Sequence, residues 1–469
     1  RVDAEAAVEE SRAAGAEGER CLARALLALA DIEQKEQRWE ESEAALAEAA
    51  ATFGRLGDEF GQAEVQRLRG FGALFRWEYD AAIELLEEAK SRFEALGDRR
   101  GVAWAQQNLA WCAFYLGRAA EAEERLRAAA ATFEELGDSA GHGWAIGLLA
   151  WTRFQQGHSL EAEAMAESIL EETRRRDRWA LGMLLVLIGS VRLWTGRAQS
   201  AIPCLEEASE IFNGIDDTFG RLQSSAVLGR ALVASGRIAE GFAIMPGTRP
   251  EELEQLGREN LFSVIATANA SVQVGDTERT AQLLAMIPEV ENPDGAMVVG
   301  DTERVVATGL HNLQLGDVAT AMVGLEAQHD LLAPTIDPNL QSALALVRAA
   351  DGQVELALAD ADLVDDHERA SYLDRIIAGV ARALAHARHG DHTAAIAAFD
   401  QVRAAAEASE DPVTAAVARL ADATAASARG DVDAAERMAL ADTHLEELGL
   451  EETSWRRAFR VALGISSAA

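Results

Sequence analysis

Apolar residues along this chain recur at helical spacing, in short stripes separated by charged and small polar residues. Leu109, Ala110 and Ala113 share one helical face; after Gly117, Ala122, Leu126 and Ala129 form a second stripe at i, i+4 and i+7. The pattern predicts a helix, a tight turn at Gly, a second helix and a turn at Leu-Gly-Asp. Gly suits these turns because helices commonly end on a left-handed residue, and the following Asp can cap the next helix's free amides. No strand is predicted, so the expected class is all-α.

The unit repeats. FGRLGD (Phe53 to Asp58), FEALGD (Phe93 to Asp98) and FEELGD (Phe133 to Asp138) recur every 40 residues, and a weaker copy, FNGIDD, starts at Phe212. The copy between them, near Arg176 and Asp177, has lost its Phe. A second marker runs out of phase with the first: Gly117, Gly157, Gly196, Gly236, Gly275, Gly316, Gly352, Gly390 and Gly430. Two earlier units have Gln37 and Trp77 in its place, with Leu46 and Leu86 matching Leu126. This makes eleven units with a period near 40 residues. Neither helix of a unit can bury its stripe alone, so the units must stack into a solenoid.

The run Leu109, Ala110, Ala113, Gly117, Arg118, Ala122, Leu126, Ala129 resembles the tetratricopeptide repeat. Ile188, Gly189, Gly196, Ala201, Leu205 and Ala208 repeat it, as do Ala383, Gly390, Ala395 and Phe399. The period exceeds the family's usual length of about 34 residues, and the inter-repeat Pro is missing. Those departures resemble the helical-repeat sensor regions of large bacterial ATP-dependent transcription regulators of the maltose-activator type, and of related actinobacterial regulators and cyclases. The resemblance implies a right-handed superhelix that acts as a sensor or scaffold, with an ATPase and an output domain elsewhere in a longer chain.

The expected organisation is a partial helix over 1–17, regular repeats one to six over 18–246, divergent repeats seven to eleven over 247–443, and a terminal segment over 444–469. Pro and Gly collect at Met245 to Pro250, Asn292 to Gly295 and Ala333 to Pro338, where they would stop helices. A soft boundary is expected near residue 247. Ser454 to Leu463 (SWRRAFRVAL) reads as an amphipathic helix capping the last unit.

Composition narrows the function classes. The chain has 469 residues, 49% hydrophobic, with 78 Asp and Glu against 43 Lys and Arg and a formal charge of -35. That charge repels polyanions, so no direct nucleic-acid partner is expected. No apolar run approaches a membrane span, and no membrane partner is expected. Cys21, Cys112 and Cys204 form no disulfide framework, which fits a reducing cytoplasm. Lys35 and Lys90 are the only lysines, a bias suggestive of a GC-rich bacterial genome.

No enzyme motif emerges. The Gly-Lys of a phosphate loop, the Gly-x-Ser-x-Gly elbow and His-Glu-x-x-His are absent from the sequence. No cofactor is expected. His386, His389 and His392 with Asp391 form the nearest approach to a metal constellation, at a spacing that also suits solvated or helix-capping histidines. Arg174 to Arg178 and the acidic pairs Glu87-Glu88 and Glu134-Glu135 read as solvated, ion-paired faces.

The aromatics are the remaining candidates. At about 100° per residue, Trp104, Trp111 and Tyr115 fall on one stripe, opposite Leu109, Ala110 and Ala113. By resemblance to tetratricopeptide-repeat proteins the first helix of each unit lines the concave surface. Trp104, Gln107, Trp111, Phe114 and Tyr115 then match ligand-touching positions, together with Arg67, Phe71 and Phe75 in unit two, Trp144, Trp151 and Phe154 in unit four, and Met183 and Trp194 in unit five. Arg67, Gln107 and Arg230 would be polar anchors. The expected occupant is a protein or peptide segment or a small-molecule effector. The alternative is a constitutive interaction scaffold or homo-oligomer whose stripe is buried packing, with Trp111 and Trp151, one period apart, as a ladder.

Overall fold

The computed structural model describes residues 1–245, 261–287 and 301–465. It is all-α. A lead helix α1 (Val2–Ala13) is followed by α2 (Glu19–Lys35) and α3 (Trp39–Leu56), α4 (Glu59–Phe75) and α5 (Tyr79–Leu96), α6 (Arg99–Tyr115) and α7 (Ala119–Leu136), and α8 (Ser139–Gln155) and α9 (Ser159–Arg176). Then come α10 (Arg178–Trp194) and α11 (Ala198–Gly214), α12 (Thr218–Ala234) and α13 (Ile238–Ile244), α14 (Leu261–Val274) and α15 (Thr277–Ala285), and α16 (Asp301–Leu315) and α17 (Val318–Leu332). The chain continues with α18 (Pro338–Asp351) and α19 (Val354–Asp365), α20 (Tyr372–His389) and α21 (His392–Ala408), α22 (Pro412–Arg429) and α23 (Ala434–Glu447), and a single helix α24 (Trp455–Ala462). Eleven pairs therefore stand among the described residues.

The turns follow the residue signals. Gly117 inside the third pair is left-handed, and Gln37 and Trp77 adopt the same conformation in the first two pairs, with φ of 59° and 66°. Asp58, Asp98 and Asp138 accept the backbone N–H of Gly61, Gly101 and Gly141, capping α4, α6 and α8. Phe53, Phe93, Phe133 and Phe212 are fully buried. Each covers a glycine eight residues on, Gly61, Gly101, Gly141 and Gly220, where a Cβ would run into the ring. The Phe and the Gly are thus one joint, clamping the second helix of a pair onto the first helix of the next.

The chain divides into two compact units. The first comprises 1–187 with 208–221, the second 188–207 with 222–469. The boundary expected near residue 247 lies outside the described residues.

In the first unit, α2, α4, α6 and α8 pack side by side, each also on its own second helix. Phe219, at the start of α12, reaches the Phe75 ring at the end of α4, with centroids 5.7 Å apart. Opposite walls of this unit therefore touch.

In the second unit, distant pairs also meet. Glu410 donates its N–H to the Gly196 carbonyl, and its carboxylate accepts from the Ser200 N–H and hydroxyl. The turn between α10 and α11 therefore sits against the junction of α21 and α22. The last helix, α24, lies across the first helices α16, α18, α20 and α22, the last of them in the eleventh pair. Its four apolar residues need a surface, and those helices supply it.

Candidate functional site: the aromatic face of the first unit

The first helices carry the aromatics because their opposite side is already committed to packing. Leu109, Ala110 and Ala113 are buried, leaving Trp104, Trp111 and Tyr115 to turn away from them. The rings resolve into two groups.

The first group joins the C-terminal ends of α4 and α6. Phe71 meets Phe75 at 4.9 Å, Phe75 meets Trp111 at 6.4 Å, and Trp111 contacts Phe114 at 5.9 Å and lies nearly parallel to Tyr115 at 5.7 Å. Trp77 and Tyr79 close on Tyr115 from the following turn. Burial raises the hydroxyl pKa of Tyr79 and Tyr115, so both stay neutral donors. Trp111 and Phe114 are buried, whereas Phe71, Phe75 and Tyr115 are half-buried.

The second group is a stack. Trp104 meets Trp144 at 6.5 Å, and Trp144 lies on Trp179 at 4.8 Å with planes 6° apart. The Trp144 and Trp179 indole N–H groups donate to Asp177 and Asp217. Those two aspartates also cap α10 and α12. Burial raises the Asp217 carboxyl pKa, opposed by the Gly220 N–H, the Trp179 N–H and Lys35. Lys35, ion-paired with Asp31 at 2.9 Å, is itself near Asp177 and Asp217. Its burial is outweighed by these carboxylates, and its ammonium is held above the usual pKa.

A polar chain runs between the groups. Arg67 pairs with Glu64 at 2.9 Å and lies over the Trp104 ring, 5.9 Å from its centroid. With its amide oriented to satisfy both neighbours, Asn108 accepts from Arg67 and donates to the Gln107 side-chain oxygen and the Trp104 carbonyl. The chain stops there. The Gln107 Nε2 and the Trp111 Nε1 are buried donors without an acceptor. An unpaired buried donor costs about 1–3 kcal/mol, so two on adjacent turns of one helix call for an explanation.

The remaining candidates are dispersed. Trp151 touches Phe154 at 6.2 Å, and Met183 is half-buried on α10. Trp194 and Arg230 belong to the second unit. Arg230 there lies near Glu303, whose carboxyl is raised by burial, with Arg230 opposing and Asp337 and Asp374 adding to the shift. His386 is half-buried and His389 and His392 are exposed; among the described residues no three His, Cys, Asp or Glu side chains gather as metal ligands. Arg174 and Arg176 pair with Glu171 and Glu172.

Trp179 and Phe219 were not among the sequence candidates. They stand one period apart, a signal the sequence does carry, at a register earlier in the helix than Trp104 and Trp144.

Helix pairs and left-handed turns place this arrangement beside known repeats. Residues 78–135 match the tetratricopeptide repeat family. This stretch is a tetratricopeptide-repeat segment. It holds α5 and α6 with most of α7, and thus the Trp104 to Tyr115 face. No curated protein matches the chain. Among solved structures it is similar to a human IFIT1 dimer with m7Gppp-AAAA, at 15% identity over 86% of this chain and 90% of that one, TM-score 0.46. It is also similar to a monomeric IFIT1 mutant with Gppp-AAAA, at 14% identity over 86% and 90%, TM-score 0.45. A third is the Cut9–Hcn1 hetero-tetramer of the APC/C, at 14% identity over 98% and 96%, TM-score 0.35. Among the described residues no helix is long and apolar enough to cross a membrane.

Proposed function

We propose that this chain is a non-enzymatic recognition array that binds a peptide or protein segment on the aromatic face of pairs two to five. One observation carries the reading: the buried, unpartnered Gln107 amide and Trp111 indole N–H end a polar chain beside the half-buried rings of Phe71, Phe75 and Tyr115. Such donors suit a backbone carbonyl or carboxylate flanked by apolar side chains. In this reading Arg67 orients Asn108 and Gln107, and Trp104, Trp144 and Trp179 form the wall behind them. Trp151, Phe154 and Met183 extend the face. The resemblance to regulators of the maltose-activator type supports a role as the sensor region of a larger bacterial signalling protein.

The contact between Phe75 and Phe219, and the Trp144–Trp179 stack, favour a second reading in which the face is packing inside a constitutive scaffold. Panning a random peptide display library against the full chain separates the two. Recognition predicts selected peptides that bind wild type and fail on Gln107→Leu/Trp111→Phe. A scaffold with a filled face predicts no peptide sensitive to those substitutions.

A further inference from the structure

The second unit carries an interaction surface of its own, independent of the aromatic face. Helix α24 buries Trp455, Ala458, Phe459 and Ala462, at positions i, i+3, i+4 and i+7. That spacing is how an amphipathic helix seats in a groove. Around it, the Trp455 indole N–H donates to the carbonyls of Val272 and Gln273, each at 3.0 Å. The Thr453 hydroxyl donates to the Val274 carbonyl at 2.8 Å and the Ser454 N–H to the Gly275 carbonyl at 3.1 Å. Arg457 donates to the Leu315 carbonyl at 3.4 Å.

All these acceptors are carbonyls at the C-terminal ends of α14 and α16. A helix leaves its last carbonyls without i+4 partners, and they carry the negative end of the helix dipole; that of Val272 also accepts from the Gly275 N–H and the Gln314 side chain. Arg457 places its charge at the end of α16, while Arg456 is held by the Glu451 carbonyl and the Asp442 carboxylate. The fit extends to shape: a side chain at Gly275 would run into Thr453, so that turn leaves room for the segment that follows α23.

We infer that the ends of α14, α16, α18, α20 and α22 form a docking groove for an amphipathic helix with aromatic residues at i and i+4, small residues at i+3 and i+7, and an Arg at i+2. Helix α24 is its tethered internal ligand. A partner helix of the same chemistry binds only when α24 leaves. The tether sets the balance: a short linker holds α24 at an effective concentration on the order of millimolar, so a free helix of equal affinity at micromolar concentration is excluded.

The test uses the full chain with a protease recognition sequence inserted between the exposed residues Glu451 and Glu452, and a fluorescein-labelled peptide of residues 453–465. With 10 μM peptide, roughly, the uncut protein should bind a negligible fraction, and cleavage should raise bound peptide at least about tenfold as the cut fragment exchanges. A peptide carrying Trp455→Ala and Phe459→Ala should not bind. Because the cut protein could unfold, an uncut Trp455→Ala chain provides the second arm: it should keep its far-ultraviolet helical signal and admit the wild-type peptide. The inference is overturned if the uncut wild type binds the peptide equally well, or if the cut fragment never exchanges. It is likewise overturned if both altered proteins lose their helical signal, for α24 is then part of the core.

Discussion

Replacing Gly141 by Ala tests the joint between pairs. In an ordinary helical position Gly→Ala stabilises by about 0.5–1 kcal/mol, through backbone entropy and propensity. At Gly141 the new methyl would run into the Phe133 ring. That ring is fully buried and held edge-on to Trp104 at 5.1 Å, so it cannot move aside. Overpacking a filled core costs about 1–3 kcal/mol. The net expectation for Gly141→Ala is a loss of up to about 2.5 kcal/mol, once the helical gain is subtracted. Gly143, two residues on in the same helix, is the internal control: its nearest contact would be the Thr173 hydroxyl at 3.7 Å, an ordinary separation. Gly143→Ala should therefore stabilise by up to about 1 kcal/mol. Urea unfolding followed by circular dichroism gives the two signs, and amide exchange in α7 and α8 localises the effect, since repeat arrays can open piecewise. If Gly141→Ala is as stable as Gly143→Ala, the Phe–Gly joint does not hold the pairs together as described.

Three further outcomes follow from the same geometry. Gln37→Gly should raise stability by about 0.5–1 kcal/mol in the same urea assay, because Gln37 bears a left-handed conformation that glycine adopts without strain. Burial raises the carboxyl pKa of Asp217, Asp360, Asp374 and Asp411. The native state then holds more protons than the unfolded chain, and stability from these groups grows as pH falls toward about 4. His311, whose burial lowers its pKa, works against this below about pH 6.5, so lowering the pH through that value should cost wild type stability that His311→Gln keeps; equal pH dependence would refute it. Burial pushes the Cys112 thiol up to about 12, so at pH 8 a disulfide reagent should label exposed Cys21 rapidly and reach Cys112 only after unfolding.

The periodic part of the structure was legible because it is local. Apolar stripes, Gly turns and Asp caps each act within a few residues, so the eleven pairs could be read from spacing alone. Even the departures were readable: Gln37 and Trp77 stand where the repeat has Gly, and both take the left-handed turn. What the sequence did not reveal joins residues far apart. Phe219 reaches Phe75 across more than a hundred residues, and nothing in the local pattern of either marks the meeting. Helix α24 announced its amphipathic face, but its address depends on which carbonyls α14 and α16 leave free. The stripe of Trp104, Trp111 and Tyr115 was visible as a stripe. That Trp104 joins a stack with Trp144 and Trp179, while Trp111 keeps an unpaired indole N–H, follows from neighbours on other helices.

The most direct measurement is calorimetric titration of a panned peptide into wild-type chain and into Gln107→Leu/Trp111→Phe. Losing two hydrogen bonds to the bound peptide, each about 0.5–1.5 kcal/mol net, predicts an affinity lower by roughly tenfold or more. The free variant loses two unsatisfied buried donors, but it also loses the Gln107 oxygen to which Asn108 donates and part of the buried Trp111 ring. It should therefore fold and be no more than moderately less stable than wild type. Unchanged affinity with both donors removed would contradict the claim that these groups await a partner.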